Sequence, residues 1–182
     1  MKPIQGYDAI NEAGELKVLE PGIYPLVITD VIDQPNKEYL EVYYDIVQGE
    51  FKGYFAAAKG SIGSDISKEC RSYKPNALPF FKSFITAIEK SNQGYQWDWD
   101  EKKLIGKYVV GVFGLEEYVD KNNEVKVICA LQEFRSVPAW KEGKLKVPEM
   151  KKFPDSQRPV KAEALQDQSA NLPDLEEIDF PF

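Results

Sequence analysis

The chain has 182 residues, 43% hydrophobic and 13% aromatic, with a formal net charge of −7, which fits one globular domain with a modest appendage and excludes collagen-like and wholly disordered classes. No apolar run approaches the ~20 residues that cross a bilayer, and "MKPIQGYDAINEAGELK" lacks the apolar centre of a signal peptide, so a cytoplasmic location, without membrane contact, is expected. Histidine is absent, which removes Ser-His-Asp and Cys-His nucleophile systems and histidine-bound zinc; Cys70 and Cys129 are too few for a disulfide framework or a cysteine zinc site, and both are expected to be buried or half-buried.

Residues 1 to 20 read as an N-terminal extension. From "PGIYPLVITDVIDQP" at 21 to 35 the chain is β-branched and aromatic between a Pro-Gly opening and a turn-forming "QPNK", which predicts a first strand. "KEYLEVYYDIVQGEFKGYFAAA" alternates next, with Leu40, Val42, Tyr44 and Ile46 on one face and Tyr39, Glu41, Tyr43 and Asp45 on the other. Its break at "QGE" predicts a hairpin to a third strand, with Phe51 and Phe55 on one face and Lys52 and Tyr54 opposite. "KGSIGSDISKECRSYK" reads as a loop.

At "NALPFFKSFITAIEKSN" the period changes. Phe80, Phe81, Phe84, Ile85 and Ile88 recur at helical spacing, with Lys82, Ser83, Glu89 and Lys90 outside that stripe; Asn76 is the expected cap and "SNQG" the stop. After "YQWDWDEKK", two strands are predicted in "LIGKYVVGVFGLEEYVD" and "EVKVICALQEFRSV", joined by a "DKNN" turn. Three strands, one helix and two strands is the order of the OB-fold, a partly open Greek-key barrel that binds oligonucleotides and oligosaccharides, with the helix closing one end. Other α+β arrangements share this order. The expected architecture is therefore mainly β, an OB-fold-like five-stranded barrel with one helix over 21 to 153, followed by a disordered linker and acidic tail over 154 to 182.

The net charge conceals a partition. Residues 162 to 182 carry −6, from Glu163, Asp167, Asp174, Glu176, Glu177 and Asp179 with no Lys or Arg, which leaves −1 for the rest. Residues 135 to 161 are locally +5. A basic segment thus precedes an acidic one.

Binding single strands without sequence choice requires cations for phosphates and rings on which bases stack. Candidate stacking residues are Tyr39, Tyr43, Tyr54, Tyr73 and Trp140; candidate phosphate contacts are Lys52, Arg71, Lys74, Arg135 and Lys144. The same tyrosines and lysines also suit an ordinary sheet surface. Trp97 and Trp99, in "WDW", suit a turn anchor or a stacking platform equally. Carboxylate clusters at "DWDE" and "EEY" lack a phosphate-cradling glycine loop, so no metal, no cofactor and no enzymatic activity are expected.

The end of the chain, "LEEIDFPF", combines carboxylates with two phenyl rings that no core can absorb, which is the composition of a peptide ligand for an apolar and basic pocket. This tail resembles the C-terminal peptide through which bacterial single-stranded DNA-binding proteins recruit replication, recombination and repair enzymes. Separately, "EYLEVYYDIVQGEFKGYF", "RSYKPNALPFFKSFITAIEKSNQGYQWDWDEKKLIGK" and "FRSV" followed by "KVPEMKK" resemble a family of phage proteins from Gram-positive hosts considered to be single-stranded DNA-binding proteins. The resemblance spans roughly residues 20 to 152. It implies a role in phage DNA replication or recombination in the infected bacterial host, with Glu176, Glu177, Asp179, Phe180, Pro181 and Phe182 contacting partner proteins and homo-oligomer formation open. The alternative is a protein-interaction module or inhibitor of host replication machinery that does not touch nucleic acid.

Overall fold

The computed structural model describes residues 17 to 62 and 66 to 154; the acidic tip from Glu176 to Phe182 lies outside them. Strands β1 (Gly22–Gln34) and β2 (Tyr39–Ile46) form a hairpin, followed by helix α1 (Tyr54–Ile62), strand β3 (Lys68–Ser72), helix α2 (Leu78–Ser91), strands β4 (Tyr108–Val119) and β5 (Val125–Arg135), and the short helix α3 (Val137–Lys141). The protein is mainly β. All pairings between strands are antiparallel and the order is β3-β2-β1-β4-β5, which leaves β3 and β5 as the two edges of an open sheet. Among the described residues no helix is long and apolar enough to cross a membrane.

The β2 alternation predicts its burial residue by residue: Leu40, Val42, Tyr44 and Ile46 are buried while Tyr39, Glu41, Tyr43 and Asp45 are not. Opposite them β1 contributes Leu26, Ile28 and Val31, with a bulge between Ile28 and Asp30 that keeps Val31 facing the core after an extra residue. From β4 come Val109 and Phe113, and from β5 Phe134. Gly111 is required by close packing, since a Cβ there would stand 2.6 Å from Leu26 Cδ1 and 2.7 Å from Phe113 Cε2.

Three elements depart from the sequence expectation. The segment expected as a third strand is α1, where Tyr54 and Phe55 open a helix after Gly53 turns the chain at φ 74°. Asp45 on β2 stabilises that start by accepting hydrogen bonds from the N–H groups of Phe55 (3.1 Å) and Ala56 (3.2 Å). The real third strand lies in the stretch expected as a loop, where Lys68 to Ser72 pair with Tyr43 to Tyr39. α2 buries Phe81, Phe84, Ile85 and Ile88 of its predicted stripe, and Ala87 besides, across β3, β4 and β5, whereas Phe80, expected in that stripe, is 72% exposed. It begins after a 3-10 turn over Pro75–Ala77 without the expected side-chain cap from Asn76. α3, in a stretch with no predicted element, is capped by Ser136. Farther on, Lys151 pairs with β4, its N–H donating to Leu115 O and its C=O accepting from Glu117 N.

Asn92 joins α2 to β4. Its amide donates to Ile88 O (2.7 Å) and Tyr108 O (2.8 Å), and its oxygen accepts from Tyr108 N (2.9 Å). Asn92→Ala strands these groups and is expected to cost about 2 kcal/mol. Urea unfolding with an unchanged m-value checks this.

Candidate nucleic-acid interface

The outer face of β2 and β3 presents Tyr39 and Tyr43 on either side of Glu41, with Ser72, Cys70 and Lys68 opposite them on β3. Both hydroxyls donate to the Glu41 carboxylate, at 3.4 and 3.1 Å, and Lys68 Nζ reaches it at 3.5 Å. The carboxylate raises the Lys68 pKa. This face offers two oriented rings around a central acid. It can stack planar groups or accept from base amino groups, but the acid opposes a phosphate placed directly upon it. Cys70, expected to be buried or half-buried, is exposed here, and Cys129 is half-buried.

The other sequence candidates separate. Lys52 is exposed in the turn before α1, and Tyr54 packs edge-on against Phe51 (5.9 Å) and Phe55 (5.2 Å). Both follow Ile46, at the end of β2 away from Tyr39, about 23 Å along a strand rising ~3.3 Å per residue. Arg71 faces inward beside Leu40, its guanidinium carbon 4.6 Å from the Phe134 ring centroid and 3.6 Å separating its Nη2 from Glu69. Burial lowers the Arg71 pKa and raises that of Glu69. Arg71 is therefore engaged by the Phe134 ring and Glu69 and is not a free phosphate ligand. Tyr73 donates to Asp33 (2.9 Å) and meets Phe81 edge-on, while Lys74 beside it is exposed.

Arg135 and Lys144 come together. They line a cleft of about 880 Å³ between α2, the end of β5 and the segment after α3. Its apolar floor includes Val112, Ala87 and Phe134, and its walls carry Lys82, Lys90, Arg135, Lys144 and Lys146 against a single carboxylate, Glu133. Arg135 bonds Glu133 at 2.6 Å and Lys144 pairs with Glu142 at 2.5 Å, so both would exchange a carboxylate for an incoming anion. Trp140, on α3, is half-buried and is not among the lining residues.

Lys82, Lys90 and Lys146 were absent from the sequence candidates. The available signal was the spacing of Lys82, Thr86 and Lys90, four residues apart and hence on one side of α2, but the partner strand that turns this polar stripe into a wall lies some 45 residues later. Among the described residues no group of three or more His, Cys, Asp or Glu side chains is placed to hold a metal ion. Comparison of the chain with protein-family models and with curated proteins yields no match.

Proposed function

We propose that this protein binds single-stranded DNA without sequence choice and without catalysing a reaction, taking the phosphate chain in the cationic cleft. The observation that carries the reading is the concentration of five cations around an apolar floor, against Glu133 in the lining and Glu142 paired with Lys144, in a chain whose net charge is −7. Such a local field attracts a polyanion that the molecule as a whole repels. On this reading bases stack on the half-buried Tyr39 and Tyr43 of the β2–β3 face.

The strand order supports an OB-fold assignment. An OB barrel unrolled between its third and fifth strands has the order β3-β2-β1-β4-β5, with its helix between the third and fourth strands. The Arg71–Phe134 contact bridges those two edges, as an incompletely hydrogen-bonded seam of a barrel requires. On this reading the protein coats phage DNA during replication or recombination and recruits partner proteins through its acidic C-terminal tip.

Titrating the protein with oligo-dT and following tryptophan emission and the anisotropy of a labelled strand tests the assignment. Saturable binding is expected; no change in either signal would leave the protein-interaction alternative in its place.

A further inference from the structure

Next to the cationic cleft around α2, and meeting it at Lys82 and Thr86, lies a groove of about 700 Å³ whose chemistry is reversed. Tyr73, Leu78, Phe81, Ile85, Trp97 and Trp99 form its apolar surface. Asp33, Glu89 and Glu101 supply three carboxylates against one cation, Lys82. Trp99 is 82% exposed and Leu78 48%, so two of the apolar side chains that line the groove stand open to solvent. Trp99 is held there by backbone in the left-handed region, at φ 68°, and by its tilted contact with Trp97, at 6.1 Å between centroids.

The geometry points to this groove as a docking site for a cationic, apolar-anchored peptide segment of a partner protein, one that inserts Leu or aromatic side chains between Trp99 and α2 and presents Lys or Arg to Asp33 and Glu101. Charge complementarity selects that occupant. A DNA strand would set its phosphates against three carboxylates, and the C-terminal tail of this chain carries six acids and no base beyond residue 161, so both are repelled. Aromatic anchors in a pocket with charges at the rim is the arrangement in which a few side chains carry most of the binding energy. Two surfaces of opposite charge, one for a polyanion and one for a polycation, thus meet along α2 at Lys82 and Thr86.

The test uses the full chain labelled at its tryptophan indoles, with Trp140 as an internal reference away from the groove. The probes are the peptide acetyl-KLFKLLK-amide and its counterpart with Glu in place of each Lys. The basic peptide is expected to shift the Trp97 and Trp99 indole signals saturably with Kd below about 1 mM and to leave Trp140 in place. Read on Trp97, Trp99→Ala weakens this at least about tenfold, and Glu101→Gln, which preserves the packing, weakens it several-fold and reduces its salt dependence. Equal response to both peptides, no saturable shift, or a response of the same two signals to oligo-dT in place of the peptide overturns the assignment.

Discussion

Replacing Arg135 and Lys144 together by glutamine weakens oligo-dT binding roughly 10- to 60-fold at about 50 mM salt and lowers the slope of log K against log salt by about 1.4. The slope follows from two lost phosphate contacts, each releasing ~0.7 counterion from a single strand. The upper end of the affinity range is the counterion term alone. The lower end allows for the Glu133 and Glu142 pairs that these cations already make and must exchange. Glutamine retains most of each side chain, and both residues are exposed, so the fold should melt within a degree or two of the parent. The same change in charge at Lys103 and Lys126, which pair with Asp98 and Asp120 outside the cleft, is expected to alter affinity less than about threefold. A slope change equal in both double variants would mean that net charge, and not the cleft, governs binding.

Phe113→Ala should be the most destabilising single core change, at about 3–5 kcal/mol. Phe113 is 1% exposed and meets Tyr24 at 5.6 Å, Tyr44 at 6.2 Å and Phe55 at 6.0 Å between ring centroids, so it touches β1, β2 and α1 from β4. Nothing can collapse into the space it leaves, because Tyr44 and Phe55 are themselves fixed by their mutual edge-on contact at 5.1 Å. For a domain of this size that loss lowers the melting temperature by roughly 6–20 °C. Calorimetry reads it directly. Leucine at the same position should recover about half, since it restores volume without the ring contacts.

Which elements were legible in the sequence depends on how local their cause is. β2 and α2 announce themselves because one face of each is almost wholly apolar, at period two and at period 3.6, and the hairpin of β4 and β5 is marked by its turn. α1 and β3 fail for opposite reasons. Phe51 and Phe55 are four residues apart, a spacing that places two side chains on the same face of a strand and of a helix alike, and what decides for the helix is the Asp45 carboxylate reaching its first N–H groups from another strand. The alanines at 56 to 58 favoured helix all along. β3 hides because its inward residues are Glu69 and Arg71, so a strand that pairs along five residues shows no apolar alternation.

The site was legible only in part, for a related reason. Arg135 and Lys144 lie in the locally basic segment and are found by counting charge along the chain. Lys82 and Lys90 become site residues only when α2 is laid across β5, and Arg71 ceases to be one because strand parity turns it toward Phe134. Composition lists cations; the register of the sheet decides which of them face the same space.

The central claim is that the cationic cleft holds a single strand chiefly by its phosphates. A salt titration of the full chain against oligo-dT, alongside a duplex of equal length, tests it most directly. The account predicts a linear fall of log K with log salt and at least about tenfold preference for the single strand at every salt concentration where both bind. Binding that ignores salt, or duplex held as tightly as oligo-dT throughout, would contradict it.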